Sequence, residues 1–361
     1  MKRMFMTVSA ILLATSALAE EKQINLYSWE AYFGPGTVAA FEKETGIKVS
    51  YDTFDSNDIV ETKMLTGKSG YDLVTVNLSP HFMRQVPVGV WAKLDKARLT
   101  NLGNIDPTIL ARDASVDPDN AHNVPWMWGT TGVGFNVDKV KALMPDAPVD
   151  SLRMVFDPEV VSKLAPCGIG MLDDASQVLG LALIYLGLNP DTTDQAELDK
   201  AVDVVTKVRP YIRRFHTSSY LNGLADGDLC VALGFSGDML IADKRAKENG
   251  KPFSITYRLS KEGNLVWTDV LAVPIDAPHP EAAQAFINYV MRPEIAATAA
   301  RDTGFSTANK AALTQLDEAL RTNPNYYPTD EAQKHLHLPK PLNQKALRMW
   351  TQAWERAKGL R

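Results

Sequence analysis

The sequence predicts an α/β fold divided between two lobes. Apolar strand-like runs alternate with helix-like ones through most of the 361 residues, the order in which parallel sheets are built. About 340 residues remain once an N-terminal leader is set aside, more than one hydrophobic core usually organises. Residues 123–136, Asn-Val-Pro-Trp-Met-Trp-Gly-Thr-Thr-Gly-Val-Gly-Phe-Asn, are β-rich and interrupted by glycines, a segment suited to crossing from one lobe to the other.

Residues 1–19 read as a secretory leader. Lys2 and Arg3 precede an apolar run from Met4 to Leu18, and Ala17-Leu18-Ala19 has the small-x-small form of a cleavage site. The mature chain is therefore expected to begin at Glu20, exported and soluble. No later segment approaches the roughly 18 uninterrupted apolar residues of a spanning helix, and no cysteine follows the cleavage site to carry a lipid. The composition, 45% hydrophobic and 22% charged, is ordinary for a globular protein. Without Lys2 and Arg3 the chain has 36 basic and 43 acidic residues, a formal charge of −7. That balance disfavours nucleic acid and anionic membranes and mildly favours a cationic ligand.

In the first lobe, Ile24 to Tyr27 forms a strand that runs into a loop carrying Trp29, Glu30 and Tyr32, and Pro35 opens a helix ending near Gly46. The loop thus lies at a strand's carboxyl edge, where open α/β sheets bind ligands. The other fate of such rings is core packing; an acid between them favours a site. Ile47 to Tyr51 is a second strand, and Ser56 caps a helix ending at Gly67. A third strand, Asp72 to Val76, exits through Asn77-Leu78-Ser79-Pro80, with Pro80 suited to a first helical turn. The glycines of 123–136 lack both the G-x-G-x-x-G order and a following lysine, so no nucleotide loop is expected there. Trp126 and Trp128 read as packing residues.

A second α/β unit begins with strand Gly168 to Leu172, loop Asp173 to Gln177 and helix Val178 to Leu186. An amphipathic helix, Ala196 to Val208, stops at Arg209-Pro210. Ser219 to Ala225 reads as a capped helix, Leu229 to Leu233 as a strand, and Gly234-Phe235-Ser236-Gly237-Asp238 as a polar loop entering a helix. Ser236 lacks the G-x-S-x-G spacing of a nucleophile elbow. Asp238 either complements a helix dipole or serves a ligand. Asp269 interrupts the apolar strand Leu265 to Pro274, and a buried carboxylate there must meet a cation or backbone donors. Trp267, two residues earlier, shares its face.

The remainder is largely helical, with Glu281 to Met291, Pro293 to Ala300 and Leu342 to Lys358 joined by connecting segments. Tyr326-Tyr327 and His335-Leu336-His337 raise an iron or zinc site, although the tyrosines lie in a Pro-Asn-Tyr-Tyr-Pro turn that favours stacking on proline. Cys167 and Cys230 are the two cysteines. In an oxidising compartment they read as one disulfide, closing a loop worth on the order of 4 kcal/mol; a nucleophilic thiol is the alternative, though neither has a neighbouring histidine in sequence.

Taken together, Trp29 with Tyr32 and Pro35, Phe41 to Val49 (Phe-Glu-Lys-Glu-Thr-Gly-Ile-Lys-Val), Phe54-Asp55-Ser56-Asn57, Asn136-Val137-Asp138-Lys139-Val140, Lys261-Glu262-Gly263 and Ala308-Asn309-Lys310-Ala311-Ala312 carry a resemblance. The mature chain resembles the periplasmic polyamine-binding proteins of bacterial ABC importers, closest to the putrescine-binding kind. The resemblance implies a type II periplasmic-binding-protein fold, with two α/β lobes closing like a hinge over the ligand. The lobes fall at 20–131 with 270–315, and 132–269 with 316–361. It also implies a cysteine bridge matching Cys167 and Cys230.

Carried over position by position, Trp29 and Tyr32 match the family's first-loop aromatics, Asp238 its ammonium-pairing carboxylate, Asp269 its hinge-side acid and Trp267 an aromatic. Other positions depart. Glu30-Ala31 stand in place of a serine and an aspartate, Gln177 replaces a glutamate, Phe235 a tryptophan and Phe305 a tyrosine. Asn77 lies near a pocket serine. The expected function is capture of an amine without chemistry: Trp29, Tyr32, Phe235, Trp267 and Phe305 sandwich an alkyl chain, Asp238 and Asp269 neutralise nitrogen, Glu30 supplies a third acid, and Asn77 and Gln177 complete the pocket. The expected partners are the amine and an inner-membrane ABC permease, with a monomeric chain and no cofactor. The competing readings are an exported enzyme with a free cysteine and a ferric-iron carrier using Tyr326 and Tyr327.

Overall fold

The structure is a computed structural model that describes residues 22–359 apart from Ala31, Pro35 and Asp55. The leader, its cleavage site and the helix-opening role of Pro35 lie outside the described residues. Among the described residues no helix is long and apolar enough to cross a membrane.

One sheet runs through the molecule. Its first half is parallel, with β1 (Gln23–Ser28) between β2 (Lys48–Thr53) and β3 (Leu73–Asn77). The crossing segment is a single 14-residue strand, β4 (Asn123–Asn136). In the second half, β5 (Ile169–Met171) pairs in parallel with β6 (Arg214–Phe215) and β7 (Val231–Phe235). Two later strands, β8 (Ile255–Arg258) and β9 (Asn264–Ala272), return to β4. Short strands β10 (Ser306–Thr307) and β11 (Leu336–His337) pair with β4 and β9. The order β2-β1-β3-β9-β4-β7-β5-β6 therefore joins two parallel halves through the antiparallel pair β9-β4.

The helices form where local chemistry favours them. Asp194 accepts hydrogen bonds from the Ala196 and Glu197 amides, and Leu198, Ala201, Val202, Val205 and Val208 then line one buried face of helix Gln195–Val208. Asn343 likewise caps helix Gln344–Lys358, which buries Ala346, Trp350, Ala353, Trp354 and Ala357. Helix Ala175–Tyr185 starts before Val178, because Asp174 accepts from the Gln177 amide and recruits the preceding turn. Ser219, in contrast, has helical dihedrals and makes no cap bond to helix Tyr220–Asp226. The polar loop expected at 234–238 is absent: β7 ends at Phe235 and helix Ser236–Glu248 begins at the next residue. Pro80 lies in an irregular wide turn, Leu78–Phe82, in which Ser79 is extended.

Two main cores flank the crossing strands. Val124, Trp126, Met127 and Trp128 of β4 enter one with Ile24, Leu26, Leu73 and Phe286; Val133 and Phe135 enter the other with Ile169, Val178, Leu233 and Trp354. A third cluster, including Phe54, Val76, Phe82 and Trp91, packs with the first half. The Cys167–Cys230 disulfide, with Cα atoms 5.5 Å apart, ties the approach to β5 to the start of β7, so neither thiol is free.

Candidate functional site

Three elements converge on Asp269. Because β3 and β9 pair antiparallel, Asn77 lies in register with Asp269, and its Nδ2 donates to Oδ1 at 3.1 Å. From the loop after β1, Trp29 Nε1 donates to Oδ2 at 3.0 Å and the Tyr32 hydroxyl donates to the same oxygen at 2.8 Å. The expected cation or backbone donors are thus replaced by three neutral side-chain donors, which satisfy a buried carboxylate without a counter-ion. Burial raises the Asp269 carboxyl above its ordinary range, while these hydrogen bonds oppose the rise. Burial and the charge of Asp269 hold the Tyr32 phenol well above its ordinary value. Glu30 is exposed and makes no hydrogen bond or ion pair among the described residues, so it stands apart from this cluster.

Asp238 occupies the first turn of helix Ser236–Glu248. The Tyr220 hydroxyl donates to its Oδ2 and accepts from the Phe235 amide at 2.9 Å. Tyr220 was not among the candidate residues, yet it sets the carboxyl's position. A Cβ on Gly234 would overlap the Tyr220 ring, so that glycine is what lets Tyr220 lie across β7. Burial pushes the Asp238 carboxyl up to about 6, against the Tyr220 hydrogen bond and the charge of Arg245. Oδ1 has no hydrogen-bond partner among the described residues.

An edge-to-face row of rings links Tyr32 to Phe235. Tyr32 and Phe305 are 6.3 Å apart, Phe305 and Trp267 5.1 Å, and Trp267 and Phe235 6.1 Å, within the favourable range for T-shaped pairs. Trp29 packs on Phe54 at 4.4 Å. Two glycines admit this row. A Cβ on Gly129 would stand 2.5 Å from Trp267 Cζ2, and one on Gly237 would overlap the Phe305 ring. Gly129 lies in register with Trp267, a pairing invisible before the strands are aligned.

Gln177 sits in the first turn of helix Ala175–Tyr185 and its Oε1 accepts from Thr131 Oγ1 at 2.7 Å. Trp126 and Trp128 are buried; their indoles donate to the carbonyls of Tyr32 and Thr307 at 3.3 and 3.2 Å. Ser236 Oγ accepts from the Thr130 amide at 3.2 Å, a structural role. Tyr326 and Tyr327 pack against other rings: Tyr326 lies 5.9 Å from Tyr257 in a tilted pair, and Tyr327 6.4 Å from Trp128 edge-on. His337 Nε2 pairs with Asp191 at 2.7 Å. Among the described residues, the group with metal-ligand geometry is Asp58, Glu61 and His81, where the Arg84 guanidinium already occupies Glu61.

Comparison with known proteins places this geometry in context. The family described as bacterial extracellular solute-binding protein matches residues 36–329. The chain is 42% identical to the putrescine-binding periplasmic protein SpuD of Pseudomonas aeruginosa over 99% of each chain. It is 42% identical to the putrescine-binding periplasmic protein PotF of Escherichia coli over 97% of this chain and 96% of the relative. The structure of the spermidine/putrescine ABC transporter substrate-binding protein PotD from Streptococcus pneumoniae superposes with a TM-score of 0.80 at 26% identity, covering 94% of this chain and 99% of the other. With two lobes joined by crossing strands and a family match spanning most of its length, the chain belongs to the bacterial extracellular solute-binding proteins.

Proposed function

We propose that this protein is the periplasmic substrate-binding component of an ABC importer and captures a polyamine or related amine between its lobes. The observation that carries the reading is Asp238: a largely enclosed carboxyl with one oxygen unpartnered, close in sequence to Phe235 in an aromatic row. An ammonium about 4 Å from such a carboxylate gains on the order of 4 kcal/mol at an effective dielectric near 20, before desolvation. Aromatic faces add about 0.5–2 kcal/mol of cation–π attraction. Asp269, held by Trp29, Tyr32 and Asn77, anchors the loops that present the rings, and Gln177 and Phe305 complete the enclosure. The names of the relatives, putrescine-binding in both cases, support the same chemistry.

The lobes we assign are 20–131 with 270–315, and 132–269 with 316–361; the change of core along β4 between Trp128 and Val133 supports that division. The mature chain begins at Glu20, acts as a monomer, and delivers its ligand to an inner-membrane permease, with ligand contacts favouring the closed lobes. Isothermal titration of the mature protein against putrescine, cadaverine, agmatine, spermidine and acylated diamines tests the reading. Heat from at least one is expected; silence from all refutes it.

A further inference from the structure

The carbonyl of the Gln177 side chain is already committed, because Thr131 Oγ1 donates to Oε1 at 2.7 Å. Thr131 is fully buried and lies in register with Phe235 on one side and Leu265 on the other. This bond therefore ties Gln177 to the strand beside the aromatic row. Oε1 keeps a second lone pair, but the NH2 has no partner at all among the described residues, so the larger unmet capacity of Gln177 is as a donor. A cavity of about 60 Å³ opens beside it, with Ser176, Gln177, Leu265, Arg84, Asp191 and Lys340 in its wall. One water needs ~10–15 Å³ measured this way, so there is room for a group of several heavy atoms. Asp191, the acid in this wall, has both oxygens occupied, by His337 Nε2 at 2.7 Å and the Lys340 amide at 2.9 Å. Arg84 is held by Glu61, and the Lys340 ammonium has no ion pair among the described residues. No free carboxylate faces this cavity. The first turn of helix Ala175–Tyr185 adds a partial positive charge, which repels an ammonium and attracts an oxygen.

We propose that the second end of the ligand is a hydrogen-bond acceptor, a carbonyl or carboxylate received by the Gln177 NH2, so that the preferred ligand is an amine acylated or carboxylated at its far end rather than a diamine. This rests on the amine reading of Asp238. A diamine would place a second ammonium against a donor and the unpaired Lys340 ammonium, with no free acid in the cavity wall to pair it.

Titration of the mature protein with n-butylamine, putrescine, N-acetylputrescine and 4-aminobutyrate separates the possibilities. An acceptor-bearing probe should bind at least tenfold more tightly than both butylamine and putrescine, and the order of the last two probes distinguishes an amide from a carboxylate. Gln177→Glu should move the preference back toward putrescine. Putrescine binding tightest to the unaltered protein overturns the proposal, as do acceptor-bearing probes that bind no better than butylamine; both comparisons use unaltered protein and stand whether or not the variant folds. Failure of all four probes overturns this inference; the amine reading falls with it only if cadaverine, agmatine and spermidine are silent as well.

Discussion

Replacing Asp238 by asparagine should weaken ligand binding while stabilising the empty protein. Burial moves this carboxyl from 3.8 to about 6. Between those values the folded chain holds its proton more tightly than the unfolded chain, so stability falls as pH rises through this window and stays low above it. At 1.36 kcal/mol per pH unit, the ionised carboxylate costs the empty protein about 3 kcal/mol near neutral pH. Asparagine keeps an oxygen for the Tyr220 hydroxyl and carries no charge to desolvate, but it gives up about 0.3–1 kcal/mol of helix-dipole interaction. A net gain of about 2–3 kcal/mol is expected. Urea melts of ligand-free protein should show the gain near neutral pH, about half of it at pH 5, and its disappearance by about pH 4, where folded and unfolded chains both hold the proton. Amine affinity should fall by on the order of 10²–10³, the loss of an ion pair of roughly 4 kcal/mol less its desolvation. In the unaltered protein, affinity should drop about tenfold per pH unit below 6, because a proton competes with the ammonium. A variant less stable than its parent at neutral pH, or one whose affinity stays within about threefold, would refute the reasoning.

Three further outcomes follow from the same contacts. Asp269→Ala strands the donors of Trp29, Tyr32 and Asn77; at about 1–3 kcal/mol per unsatisfied buried group, partly relieved by water, it should cost about 2–4 kcal/mol in a denaturant melt and abolish the titration signal. Gly237→Ala pushes Phe305 out of the aromatic row; affinity should fall by about tenfold or more with little change in melting temperature, and equal affinity would show that the row does not contact ligand. Reduction of Cys167–Cys230, a bridge of sequence separation 63, should destabilise by on the order of 4 kcal/mol in the chain-entropy model. Affinity well below the melting transition should be unchanged, because the bridge lies in the second core.

The parts legible in the sequence are those that local chemistry decides. Strand exits at Trp29 and Asn77, capped helix starts at Ser56, and the crossing character of 123–136 depend on a few neighbouring residues, and all stand in the structure. The cysteine pairing needed the compartment inferred from the leader. The rest depends on register. Asp269 promised a cation because the sequence shows an acid in an apolar strand, but its partners sit up to 240 positions away and are neutral. Tyr220 supports Asp238 from 18 residues upstream, across a helix and a strand. Its signal was Gly234, which looks like a flexible loop residue until β7 passes beneath a ring. Gln177 shows in sequence as a neutral residue in a glutamate's place; that the Thr131 hydroxyl engages its Oε1 does not, because no one-dimensional pattern joins positions 46 apart.

The crossing strands carry a mechanical consequence. Residues Asn123–Thr131 of β4 are laddered to β9, and Thr131–Phe135 to β7, so the lobes are connected by a hydrogen-bonded ribbon rather than by a slack tether. Such a ribbon bends across its flat face far more easily than it shears in its own plane. Any relative motion of the halves would therefore be easiest as a bend near Thr131, which pairs with β9 on one side and β7 on the other. Trp267 and Asp269 lie on the partner strand beside that bend. Groups so near a pivot travel little while the distant rims sweep far, so this wall can hold its geometry through the stroke and act as the fixed jaw of a vice.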